Sequence, residues 1–409
     1  MTVVTSGLDS AKSLTKDWKF WICRVWLPLG LFIQLSGFFW LPNTHLYKVI
    51  VTNSLLLAAL FSVFDHSAWR AALRSKLYPL ILLYLFYMSI IPFVRQNEDP
   101  LACAHWSFYI ALYIFAIGQR MRLTFVQMRY LFFLSSAICA AAIIYGIVYD
   151  VFYQHAWSDL YRLVGYGALY NPLRSGHLFG FFYIVALWLA MSGKGPVSRL
   201  WANCFIALTC LLGTVFTGSR APLFGVAIAG FYLISLAAPV KLRKKSLVIS
   251  SAILIGLWIL FWQRLSERGL SLRPQVWSEV IKQWQLYPWF GAGYNASLNI
   301  KLNFIDHDFF DTHNIELAAL YYGGIVGILL FCVVHAVAFF QAFCLRKSSS
   351  GAVLAGALMI YGMITLQFDG GSIIGRPNEF WLLLWFPIAL LLFIKRNSAL
   401  PQNTQWHEH

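Results

Sequence analysis

Twelve separate apolar runs, each long enough to cross a bilayer, constrain this chain more than any other feature. They fall at about 20–41, 46–64, 77–94, 101–118, 129–152, 173–192, 199–216, 219–238, 246–263, 314–344, 352–369 and 377–394. A helix needs roughly 17 to 25 mostly apolar residues to span the hydrocarbon layer. With 59% hydrophobic and 11% charged residues, the chain has too few polar side chains to clothe a water-soluble surface. Lys12, Lys16 and Lys19 precede the first run and no small-residue cleavage site follows it, which predicts a retained signal anchor.

If the runs alternate in direction, cytoplasmic termini place 20 of the 31 Lys and Arg inside and 11 outside. Five of those 11 lie in one long loop, so the short loops carry a strong inside bias, the pattern that sets orientation. The formal charge of +15 is then a consequence of topology, and nucleic acid is not a predicted partner. Cation type differs between the faces: ten Lys and ten Arg inside, three Lys and eight Arg outside. Arginine presents a rigid fork of donors matched to phosphate and carboxylate, so the outer face looks equipped for a phosphate-bearing ligand. The seven cysteines show no disulfide or zinc spacing and read as apolar filler.

Most connections only turn the chain around. Two outer ones are longer. Residues 153–172, "YQHAWSDLYRLVGYGALYNP", are rich in aromatics and Gly and contain Arg162, with Arg174 just beyond. Residues 264–312 form the one loop large enough for a small subdomain of an otherwise single membrane domain spanning 1–409. Within it Val276, Trp277, Val280, Ile281, Trp284 and Leu286 recur near the helical period, predicting an amphipathic helix on or near the membrane surface. The Pro and Gly of "YPWFGAG" end it. A two-halved transporter would carry its largest connection between spans six and seven, where this chain has only "SGKGPVSR".

Chemistry-bearing residues gather at the outer boundaries. In "FFDTHNIELAALYYGG", His313 stands at the entrance to a helix that Asp311 or Thr312 is expected to cap, with Glu316 in its first turn. A helix N-terminus is the positive end of its dipole and favours the neutral form of an imidazole placed there, the form a general base needs. The alternative is a boundary histidine that only bonds a loop carbonyl. Arg220 opens span eight in "FTGSRAPL", and Arg264, Arg268 and Arg273 crowd the segment leading to His313. Singly, each of these, like Arg174, Arg376 and Arg95, reads as a cation snorkelling to lipid headgroups; together they suggest an anion clamp. The run "DHDFFDTH" (Asp306, His307, Asp308, Asp311, His313) could hold a divalent metal, but clustered arginines supply the same electrostatics, so no metal and no other cofactor is expected. Gly323, Gly324 and Gly327 suit close helix packing.

"TGSRAPL" at a helix start, "RPQVW" followed by "PWFGAGY", and "HNIELAALYYGGIVG", in this order and topology, resemble the O-antigen ligase and polymerase superfamily over residues 213–330. The similarity is nearest to the O-antigen ligases of Gram-negative bacteria. It implies an all-α polytopic membrane protein, GT-C-like, with about twelve transmembrane helices and a long periplasmic loop between spans nine and ten. It also implies an inner-membrane glycosyltransferase that moves a polysaccharide from undecaprenyl diphosphate to a sugar hydroxyl of lipid A-core, with inversion. Under that resemblance His313 is the base and Arg220 and Arg273 hold the diphosphate. Arg264, Arg268, Arg174, Arg162, Glu316 and Asp311 are expected to bind substrate. A polymerase or a protein-glycosylating ligase of the same superfamily would use the same residues, whereas a transporter would need polar groups at mid-membrane, which most spans lack.

Overall fold

Apolar on every side, residues 381–394 have no face to give to water, and they are buried throughout. This buried spine begins as a π-helical turn, Trp381–Trp385, and runs on as a helix, Phe386–Ser398. The computed structural model describes residues 19–153, 161–192, 197–238, 240–260, 272–302, 309–371 and 373–398. In chain order the helices are α1 (Lys19–Phe39), α2 (Thr44–Phe61), α3 (His66–Arg74), α4 (Leu77–Arg95), α5 (Pro100–Arg120), α6 (Phe125–Phe152) and α7 (Pro172–Ser192). There follow α8 (Val197–Phe216), α9 (Arg220–Ala237), α10 (Val240–Leu260), α11 (Arg273–Trp284), α12 (Ile315–Leu345), α13 (Ser350–Asp369) and α14 (Phe386–Ser398). The protein is an all-α polytopic membrane protein; among the described residues the one strand-like pairing is an antiparallel bridge between Ile300 and Phe309.

Ten of these helices are long and apolar enough to cross a membrane, against twelve expected. The other two expected spans are helical but fall short of that description. The first turns of α10 carry Lys241, Arg243, Lys244 and Lys245, and α14 is 13 residues long.

α12 is 31 residues long and is broken at Gly324, where φ is 64° and ψ −165°. A break frees backbone groups that a bilayer cannot satisfy. The segment 288–293 satisfies them instead: Ala292 and Gly293 donate to the carbonyls of Tyr321 and Tyr322 at 2.8 and 3.0 Å, while Ile325 and Val326 donate to Pro288 and Trp289 at 2.9 and 3.2 Å. Glycine is needed on both sides of this seam. A Cβ at Gly324 would fall 2.4 Å from the Trp289 carbonyl, and one at Gly291 2.5 Å from Gly324 N. Gly323 and Gly327 do serve close packing, against Tyr87 and Met88 of α4, and Tyr87 donates to the Gly323 carbonyl at 2.6 Å; Gly324 is the hinge of a docked loop. We expect Gly324→Ala to incur a penalty of about 1–3 kcal/mol for a backbone region that is essentially glycine-only and also to push the loop off. A lowered melting midpoint in detergent, with new protease cutting near 288–293, is the expected result; unchanged melting and protection would show that the seam is not held this way.

The same loop corrects the expectation for Arg95. Its Nε donates to the Gly291 carbonyl at 3.1 Å and its guanidinium lies 4.6 Å from the Tyr287 ring centroid. Asn97 adds bonds to Ala292 and Tyr294. Arg95 therefore fastens the loop to α4 and does more than anchor in lipid. The predicted amphipathic helix is present as α11, but Val276 and Val280 are buried with Leu298, Ile300 and Tyr321. Its apolar face is taken up by the loop and the start of α12, leaving Ile281 and Leu286 exposed.

Candidate active site

The polar residues at this end of the bundle converge on the sequence Asp369-Gly370-Gly371, where α13 ends. Asp369 is buried, with 4% of its side chain exposed. An ionised carboxylate in such a place needs partners, and it has two. Oδ1 accepts a short hydrogen bond from Arg273 Nη2, and Oδ2 lies 3.3 Å from His177 Nε2. Arg273 opens α11, so the loop helix is pinned to the bundle at its first residue while 28% of the arginine side chain stays open. His177, on α7, is itself buried, and its Nδ1 has no partner among the described residues.

The two glycines after Asp369 hold the segment that carries His313. A Cβ at Gly371 would fall 1.5 Å from Asp311 Oδ1, so the carboxylate rests directly on that glycine's backbone. Thr312 Oγ1 donates toward the Gly370 and Asn314 carbonyls at 3.3 and 2.9 Å. Asp311 Oδ1 accepts the His313 N–H at 3.0 Å. The helix cap is Asn314, whose Oδ1 accepts the Leu317 N–H at 2.8 Å. It is neither Asp311 nor Thr312, because both side chains are occupied in shaping the turn. His313 thus stands just outside the cap, edge-on to the Phe309 ring at 6.4 Å. Its φ of 48° is left-handed, a conformation costing a β-carbon residue about 1–2 kcal/mol and one that concentrates at functional sites. Behind the cap, Glu316 Oε1 accepts a short bond from Gln367, whose carbonyl also accepts from Asn314 Nδ2 at 3.0 Å.

Arg220 reaches this end through the turn Thr217-Gly218-Ser219. Gly218 supplies a φ of 63°, and Ser219 occupies the cap position of α9. Arg162 clamps the turn: Nε donates to the Thr217 carbonyl at 2.7 Å and Nη2 to Ser219 Oγ at 3.2 Å. Gly176, next to His177, packs so closely that a Cβ there would lie 2.9 Å from Thr217 Oγ1. Asp369, its partner His177 and the turn that launches Arg220 are therefore contiguous. Arg174 is engaged elsewhere, with Glu379 at 2.9 Å and over the Tyr170 ring at 5.1 Å. Arg376 lies over Trp106 at 5.7 Å. Arg264, Arg268, Asp306, His307 and Asp308 lie outside the described residues.

Sequence reading missed Asp369, His177, Gln367 and Glu379. One signal was available: "LQFDGG" ends an otherwise uncharged span in an acid and two glycines, and an ionisable residue in a span is a functional candidate by default.

Residues 205–332 match the family model described as O-antigen ligase. Over 388 residues the chain is 33% identical to an O-antigen ligase of Pseudomonas aeruginosa (strain PAO1), covering 91% of this chain and 92% of that protein.

Proposed function

Because the chain belongs to the O-antigen ligase family, we propose that it transfers an O-antigen polysaccharide from undecaprenyl diphosphate to a sugar hydroxyl of lipid A-core. The reaction runs at the periplasmic face of the inner membrane, with both termini cytoplasmic and membrane lipids around the helices. His313 takes the proton from the acceptor hydroxyl as its oxygen bonds to the anomeric carbon. The bond from that carbon to the diphosphate breaks, the lipid diphosphate leaves with the electron pair, and the anomeric configuration inverts. Negative charge grows on the leaving group, and fixed cations in a poorly hydrated site stabilise such charge strongly. Arg220 and Arg273 supply them, and arginine forks fit phosphate oxygens.

The observation that carries this reading is the convergence on Asp369-Gly370-Gly371. One short segment holds the loop arginine through Asp369 and braces the turn of His313 through Asp311 and Thr312. A base and a diphosphate-binding cation need this common frame, because misplacing a group by about 1 Å can reduce the rate on the order of a hundredfold. Asp311, Glu316 and Arg162 support the site from behind.

Purified protein mixed with lipid-linked O-antigen and lipid A-core should form the ligated product. With arginines carrying the charge stabilisation, turnover should survive excess EDTA unchanged. Activity lost to chelator and restored by a divalent ion would return "DHDFFDTH" to the centre of the chemistry.

A further inference from the structure

α6 is 28 residues long, about 42 Å at 1.5 Å per residue, against a hydrocarbon layer of about 30 Å. Its first turn is fixed by a reciprocal cap between Thr124 and Gln127, beside Arg120, Arg122 and Arg129. Those cations mark the surface opposite the candidate site. From there roughly 20 residues use up the apolar layer, and Tyr145, Tyr149 and Tyr153 come next.

These tyrosines form a ladder. The rings of Tyr145 and Tyr149 are 5.9 Å apart at 19°, and those of Tyr149 and Tyr153 are 5.8 Å apart at 21°. Carbon atoms in contact sit about 3.5–4.0 Å apart, so near-parallel rings at this spacing are stepped, leaving part of each face open. Tyr145, Tyr149 and Tyr153 are 51%, 40% and 74% exposed. At the foot, Tyr166 stands edge-on to Tyr145 at 5.6 Å. An aromatic belt for lipid headgroups occupies one depth, whereas this ladder climbs two helical turns, about 12 Å, along one helix face.

The ladder is tied to the site. Asp150, within it, accepts from Tyr161 at 2.7 Å. The loop then continues through Arg162, which clamps the Thr217-Gly218-Ser219 turn, to Tyr166.

We propose that Tyr145, Tyr149 and Tyr153, with Tyr166 at the foot, form a stacking rail for the sugar rings of the polysaccharide donor. This rests on the ligase reading above. Pyranose rings offer flat C–H faces to aromatic rings and hydroxyls to the phenols, and tyrosine supplies both an apolar body and a polar tip. The donor is favoured over the acceptor because the rail starts beside the turn of Arg220, where its diphosphate is held, and leads outward as a polymer must.

The test compares two donors in nanodiscs, both on undecaprenyl diphosphate: one carrying a single repeat and one a long chain. We expect Tyr149→Leu and Tyr153→Leu each to raise KM for the long-chain donor about tenfold, with kcat and the single-repeat KM unchanged. Tyr149→Phe should stay close to wild type. Leucine keeps the lipid affinity of the site but not its flat face, so wild-type kinetics in the Leu variants would assign the ladder to lipid and overturn the proposal. An altered KM for lipid A-core in place of donor would overturn it too. Saturation-transfer NMR with the free polysaccharide adds an arm that needs no turnover: contact with wild type but not with Tyr149→Leu supports the rail even if no ligation is seen, and no contact with wild type rejects it.

Discussion

Replacing His313 with alanine should abolish transfer, and replacing it with glycine should do the same in a protein at least as stable as wild type. The pair is informative because His313 has two separable features, its imidazole and its left-handed backbone with φ of 48°. Glycine accepts that conformation without the penalty of about 1–2 kcal/mol that a side chain incurs. The Asp311 bond to the position-313 N–H does not depend on the side chain, and the Asn314 cap is untouched. A boundary histidine would therefore be well replaced by glycine. A general base would not, since its loss removes about 10² to 10⁴ in rate. The measurements are product formation by purified protein and melting in the same detergent. Near-normal ligation by His313→Gly would reduce His313 to a turn residue.

What was legible in the sequence is what short stretches specify by themselves. The spans follow from runs of apolar residues, and α11 from the period of Val276, Val280 and Trp284. The place of His313, at the entrance to α12, follows from a polar run meeting a helix. Features made by distant segments were not legible. Asp369 lies 96 residues from Arg273 and 192 from His177, and no local pattern couples them. Gly324 looked like a packing glycine because the loop that satisfies its broken helix lies some 30 residues upstream. Arg95 looked idle for the same reason, its partner Gly291 being 196 residues away. The cap was misplaced by two or three residues for a subtler cause: Asp, Thr and Asn are all good caps, and only the Gly370 and Gly371 backbones decide which of them is free to act.

Arg273→Lys should lose most transfer although the positive charge is kept. The Arg273 fork donates to Asp369, and in the proposed reaction it also serves the diphosphate. Lysine has a single ammonium on a flexible stem and cannot keep the acid and serve two phosphate oxygens in one fixed plane. Losing a charge-assisted bond of about 1.5–3 kcal/mol corresponds to a drop of roughly ten- to hundredfold. Arg199 serves as the reference: it opens toward Tyr130 at the end away from Asp369, with its guanidinium 5.5 Å from that ring, and Lys there should be silent. Two measurements separate clamp from anchor. Undecaprenyl diphosphate without glycan should bind Arg273→Lys more weakly than wild type, while the melting midpoint stays close, because lysine can still pair with Asp369. If the midpoint falls and lipid-diphosphate binding does not, the guanidinium serves to fasten α11 to α13, and the diphosphate must be held by Arg220 and other groups at that end of the bundle.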